Sequence, residues 1–280
     1  MMQTKKLIKK HLICFSLNQS QIKMLRRVLP LVGSVRSKLK PLSRVSNRIT
    51  IQYTSDIHID RKKCMPTIIA KSDYLAVCGD VGDPFHPNFK LFFDMVSPMF
   101  KVVFFVAGNH DLNCSPMYEF NNVSKCKKQI KSILKSYANV QFLNRKTCQI
   151  GTNIVIVGTT LWSEPLDVHN LKYINYLSAH YADIKWLEDT IEKHKKKKVV
   201  VLTHYVPTEK LIRPMYLAAG AHVTSLFATD LESVIGSPVV GWLCGHTHSI
   251  LDVKINGVYC GVNALGNFHN VIQTKLLVIE

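Results

Sequence analysis

Carboxylates and imidazoles recur along this 280-residue chain in five short clusters: Asp56-Ile57-His58, Gly79-Asp80-Val81-Gly82-Asp83, Gly108-Asn109-His110-Asp111, Thr203-His204 and Gly245-His246-Thr247-His248. The third cluster adds an amide, Asn109. This mixture of oxygen and imidazole donors suits a pair of divalent cations such as manganese, iron or zinc, whereas thiolate-rich sites serve softer demands, and no cysteine belongs to the pattern. Two cations about 3.5–4 Å apart can hold one hydroxide between them and neutralise the charge that builds on a phosphoryl group as it is attacked. Like charges that close need a shared ligand. A carboxylate has two oxygens to offer, and Asp80 is assigned that role. The expected chemistry is hydrolysis at a dinuclear metal centre.

Each cluster follows a short, apolar, β-branched run: 49–54, 74–78, 102–106, 199–202 and 239–243. Such runs read as strands buried on both faces. Open α/β sheets place ligands just beyond the carboxyl ends of their strands, so five such ends can converge on one crevice. Gly79, Gly108 and Gly245 let the chain turn sharply there. Further strands are expected at 153–158 and 271–279, and a hairpin over 250–262 around Asn256-Gly257, a dipeptide favoured in tight hairpin turns. Helices are expected over 118–137 and from about 182 onward. The second ends at Lys193 and Lys195–Lys198, where cations suit the unpaired carbonyls of a helix C-terminus. With parallel elements early and hairpins late, the prediction is an α/β fold of two mixed β-sheets packed face to face with flanking helices.

Singly, each cluster has an ordinary explanation. Asp56 and His58 could cap a loop, Asp80 to Asp83 is a credible tight turn, and two histidines two residues apart occur by chance. Their conjunction, in this order, resembles the pattern of the calcineurin-like metallophosphoesterases: Asp-x-His, Gly-Asp-x-x-Asp, Gly-Asn-His-Asp/Glu, a lone His, and Gly-His-x-His. The match spans residues 49 to 270. The resemblance implies an α/β/β/α sandwich in which Asp56, His58, Asp80 and His248 bind one metal and Asp80, Asn109, His204 and His246 bind the other. It implies that His110 stands beside the substrate, stabilising the leaving oxygen or donating its proton, that Asp111 orients His110, and that Asp83 supports the site without ligating. Seven histidines match no cluster and are expected mostly at the surface or in loops. Of these, His222 and His269 sit where they could line the crevice.

At 47% hydrophobic the chain can bury a full core, and no apolar run approaches the roughly 20 residues with few charges that a membrane span needs. The run from Lys90 to Gly108 is interrupted by Asp94, Pro98 and Lys101. The eight cysteines lack the paired spacing of a zinc knuckle and read as reduced, buried residues, which favours an intracellular, cytoplasmic location. Residues 1–48 carry twelve Lys or Arg and no acid, and thus twelve of the seventeen net positive charges. They read as a flexible basic extension to a 49–280 metallophosphoesterase domain. Organelle targeting, or contact with nucleic acid or an anionic surface, are the alternatives. The expected function is a dinuclear metal-dependent phosphoesterase that hydrolyses phosphate mono- or diesters by attack of a metal-bridging hydroxide. A nuclease that tracks a polyanion through the basic arm is the runner-up. An inactive interaction scaffold of the same fold comes third, disfavoured because no ligand position is missing.

Overall fold

The computed structural model describes residues 48–62, 64–112, 122–166, 174–264 and 271–280. The basic extension, apart from Arg48, lies outside them, as do His269 and the first residues of the helix expected at 118–137. The strands are β1 (Ile49–Thr54), β2 (Tyr74–Cys78), β3 (Val102–Val106), β4 (Val140–Phe142), β5 (Lys146–Ile150), β6 (Ile154–Gly158), β7 (Lys198–Leu202), β8 (Val239–Cys244), β9 (Ile250–Ile255), β10 (Val258–Asn263) and β11 (Lys275–Ile279).

Successive side chains of the central strands serve two different cores, which is why these runs are apolar throughout. Leu75, Val77, Val103 and Phe105 join one core, while Ala76, Cys78, Phe104 and Val106 join another. Opposite them, Ile154, Ile156, Val200 and Leu202 enter that second, shared layer, and Val155, Val157, Val199 and Val201 face a third. The shared layer lies between a five-stranded sheet, β11-β1-β2-β3-β4, and a six-stranded sheet, β5-β6-β7-β8-β10-β9. Strands β1 to β4 run parallel and β11 closes their edge antiparallel. In the second sheet β6, β7, β8 and β10 are parallel, flanked by antiparallel β5 and β9. Both sheets are mixed, as expected.

Helices cover the outer faces. Helix α1 (Pro87–Val96) starts at Pro87 with the His86 ring nitrogen accepting from Asn88 N, and buries Phe89, Phe92, Phe93 and Val96 at helical spacing against the first sheet. Helix α2 (Val123–Leu134) buries Val123, Cys126, Ile130 and Leu134 on the same side. On the second sheet, α3 (Ile174–Lys193) packs Leu187 and Ile191. The result is an α/β/β/α sandwich. Short helices α4 (Pro214–Leu217) and α5 (Ala221–Thr224) follow β7. The hairpin turns at Asn256 and Gly257, both at positive φ (49° and 82°), the conformation that Asn-Gly accommodates.

Several expectations need correction. The last strand begins at Lys275 rather than 271, and α3 begins at Ile174, eight residues before the start read from its apolar spacing. Trp162, between β6 and α3, is buried against Tyr176 and Tyr205. His180 is a core residue rather than a surface one, with its Nδ1 bonded to the Trp162 carbonyl. His222 is exposed on α5. Of the described cysteines, Cys78, Cys126, Cys244 and Cys260 are buried, but Cys64 is exposed. Among the described residues no helix is long and apolar enough to cross a membrane.

Candidate metal centre

The turns that follow β1, β2, β3, β7 and β8 meet at one end of the sandwich. Backbone pairing carries the first two turns side by side beyond their strands: Asp56 N donates to Gly79 O, and His58 N to Asp80 O. Gly245 N reaches His204 O in the second sheet, and His246 N donates to Asp56 Oδ2 at 3.0 Å across the two sheets. Glycine is required at 79, where φ is +88° and a Cβ would stand 2.3 Å from His204 Nδ1.

Three donor groups result: Asp56 with His58 and His248, Asp80 with His204 and His246, and His58 with Asp80 and His110. Asp80 lies at their centre, and its two oxygens face different partners. Oδ1 is 3.5 Å from His204 Nε2, whereas Oδ2 is 3.9 Å from His58 Nε2 and 4.0 Å from His110 Nε2. Asn109 Oδ1 is 3.0 Å from His204 Nε2, His248 Nε2 is 3.3 Å from Asp56 Oδ1, and the Nε2 atoms of His58 and His248 are 3.2 Å apart.

Second partners decide which ring nitrogen is left to ligate. A carbonyl can only accept, so His204 Nδ1 donates to Cys78 O and leaves Nε2 as the nitrogen that can ligate once its proton is lost, while His246 Nε2 donates to Leu226 O and leaves Nδ1. Burial pushes His58 down to about 4 and His246 down to about 3, so both rings are neutral at pH 7. Burial also pulls on His204, but the Asp80 carboxylate beside it wins and holds it up at about 9. Asp80 stays well below the usual carboxylate range because His204 and its other histidine neighbours outweigh the cost of burial. Hydrogen bonding to Asp56 raises His248.

These residues fit a pair of cations on three counts. Bonds of about 2.0–2.2 Å at angles near 90–109° would set donors on one ion roughly 2.8–3.6 Å apart, and the 3.0–3.5 Å separations above fall in that range. Asp80 Oδ2 is buried with no hydrogen-bond partner among the described residues, a costly state for a carboxylate oxygen that an ion beside it would relieve. Five of the donor residues, Asp56, His58, Asp80, His246 and His248, have φ between 47° and 68°. The left-handed region is costly for side-chain-bearing residues and clusters at functional sites.

Asp111 is expected to orient His110, and the partners its side chain has are backbone amides. Its buried carboxylate accepts from backbone amides, Oδ2 from Asp80 N (2.7 Å) and Gly108 N (2.8 Å), and Oδ1 from Gly82 N (2.9 Å). It therefore clamps the turn carrying Asp80 to the turn carrying Asn109. Burial and the neighbouring Asp80 charge push Asp111 up to about 8. The His110 ring instead meets Arg61, whose Nη2 lies 3.1 Å from Nδ1. Arg61 belongs to none of the five clusters, and nothing in the sequence pattern singles it out.

The fold is a two-sheet α/β sandwich whose strand ends gather carboxylate and imidazole donors able to hold metal ions. A sequence profile described as calcineurin-like phosphoesterase matches residues 49–249, and the chain belongs to that family. An uncharacterized protein, L509, of Acanthamoeba polyphaga mimivirus is 29% identical, with 78% of this chain and 91% of that protein covered. Among solved structures, the phosphopantetheinyl hydrolase PptH of Mycobacterium tuberculosis superposes with a TM-score of 0.52 at 17% identity, over 78% of this chain and 90% of its own. TT1561 of Thermus thermophilus does so with a TM-score of 0.51 at 12% identity, over 83% and 98%. At these identities the likeness is one of fold.

Proposed function

We propose that the chain is a two-cation phosphoesterase that hydrolyses phosphate mono- or diesters. Asp56, His58, Asp80 and His248 hold one ion; Asp80, Asn109, His204 and His246 hold the other. The observation that carries this reading is Asp80, buried at the centre of the cluster with one oxygen toward His204 and the other toward His58 and His110. The mixed oxygen and imidazole set suits manganese, iron or zinc. Cations bound there activate a water near neutral pH and offset charge on the phosphoryl oxygens.

The chain's own residues do the rest. Asp111 fixes the relative position of the Asp80 and Asn109 turns through three amide bonds. The carbonyls of Cys78 and Leu226 set the tautomers of His204 and His246. His110, 39% exposed and with its Nε2 4.0 Å from Asp80 Oδ2, is available to a substrate oxygen. The test is to determine metal content per chain after loading with manganese, iron or zinc, and then to assay aryl phosphomonoester, aryl phosphodiester and cyclic nucleotide. Two ions per chain with turnover of at least one ester are expected. One ion or none, with no turnover, would overturn the reading.

A further inference from the structure

His110 Nε2 lies close enough to His58 and Asp80 to complete a third donor group, so geometry alone leaves it as either a ligand or a group for the substrate. Its other nitrogen decides. A guanidinium carries five N–H donors and no acceptor, so the contact of Arg61 Nη2 with His110 Nδ1 at 3.1 Å requires Nδ1 to present its lone pair. The ring proton then resides on Nε2, the atom directed toward Asp80 Oδ2. A nitrogen bearing hydrogen cannot ligate.

Arg61 sits on the backbone that presents the ligands: the short 3-10 turn Ile59–Arg61 follows His58, a proposed ligand. Its Nε lies within ion-pair reach of Asp60 Oδ2, at 4.0 Å, and the other oxygen of Asp60 is packed against Gly82 in the turn that follows Asp80, where a Cβ would come within 2.3 Å of Oδ1.

We propose that Arg61 is a positioning residue that locks His110 in its Nε2–H tautomer, making it a hydrogen-bond donor to the substrate's leaving or phosphoryl oxygen and barring it from the cation site. The proton stays on Nε2 throughout; the ring polarises the departing oxygen, which takes its proton from solvent water. This rests on the two-cation phosphoesterase reading, and the tests separate the two.

Nitrogen-15 NMR of the metal-free full-length protein at pH 8.5 reads the His110 tautomer without any turnover. The expected result is hydrogen on Nε2 in the parent, a mixture of tautomers in Arg61→Met, and restoration in Arg61→Lys, which keeps a donor. A parent ring with hydrogen on Nδ1 overturns the inference whatever the activity. With manganese-loaded protein and an alkyl phosphate ester, His110→Ala should lower kcat by about 10²–10³-fold, as for loss of one positioned hydrogen-bond donor to a developing oxyanion. Arg61→Met should lose at least about tenfold, and the double variant should be no slower than His110→Ala, because Arg61 acts through that ring. Multiplying losses in the double variant would mean that Arg61 touches the substrate itself and would refute the positioning role. Absence of turnover in every protein, parent included, with the parent tautomer as expected, would count against the phosphoesterase reading alone.

Discussion

Replacing Asp111 with Asn tests whether the clamp between the ligand turns serves the fold or the ions. In the parent the carboxylate takes three amides at 2.7–2.9 Å inside the protein. An asparagine can keep the two bonds now made by Oδ2, at neutral strength, but its NH2 would face the Gly82 amide, donor against donor. The loss is one charge-assisted hydrogen bond of about 1.5–3 kcal/mol, plus about 0.5 kcal/mol for each of the two weakened bonds. Without metal this cost is largely hidden, because burial and Asp80 push Asp111 up to about 8, so that at pH 6 the parent carboxyl is protonated and resembles the amide. Cations on Asp80 offset its charge and let Asp111 ionise. Asp111→Asn should therefore change stability in chelator at pH 6 by less than about 1 kcal/mol, yet weaken cation binding at pH 7 by about 2–3 kcal/mol, or 30- to 150-fold. Urea denaturation in chelator and competition with a metal indicator measure the two. Cation affinity within threefold of the parent would refute the reasoning, and so would a loss of several kcal/mol in the metal-free protein.

Three further outcomes are expected. Asp80→Asn keeps the shape of the shared ligand but removes its charge, so it should bind at most one ion per chain and lower turnover about a thousandfold, the several kcal/mol expected of the cations; metal analysis showing two tight ions would count against sharing. Because His204 is raised to about 9 in the metal-free fold, a cation must displace its proton, and affinity should rise with pH up to about 9, by no more than about tenfold per unit from this group. By the same linkage, the stability that His204 contributes is complete below its unfolded value near 6.5 and lost as pH rises through 9, and the raised Asp111 acts in the same sense between about 4 and 8. Metal-free protein whose denaturation midpoint climbs from pH 6 to 9 would contradict both. Gly82→Ala places a methyl 2.3 Å from Asp60 Oδ1 at a φ of +141° and should cost about 2–4 kcal/mol, strain and displacement together. A change under 1 kcal/mol by calorimetry would mean that Asp60 turns aside freely.

What the sequence made legible was whatever its local periodicity enforces. Strands β1, β2, β3, β7 and β8 stand out because both faces are buried and every position is apolar, and the donors follow at their ends. The Asn256-Gly257 hairpin is equally local. Helix α1 was hidden because its phenylalanines merge into the apolar residues that lead to β3. Strand β5, with mostly exposed Lys146, Thr147 and Gln149 on a sheet edge, carries too little apolar signal to read. The amide partners of Asp111 and the contact of Arg61 with His110 were hidden for a different reason. Their partners are a set of backbone amides and a ring 49 residues away, which only the folded chain brings near.

The donors are divided between the two halves of the sandwich. Asp56, His58, Asp80 and Asn109 follow strands of the five-stranded sheet, whereas His204, His246 and His248 follow strands of the six-stranded one. On the proposed assignment both ions draw donors from both leaves: one takes Asp56, His58 and Asp80 from the first and His248 from the second, the other Asp80 and Asn109 from the first and His204 and His246 from the second. The cations then act as rivets through the seam. Prising the leaves apart, whether by heat, denaturant or pulling on the chain, would have to break ligand bonds at both ions, so the metal supply that sets catalytic capacity would also set how long the protein survives.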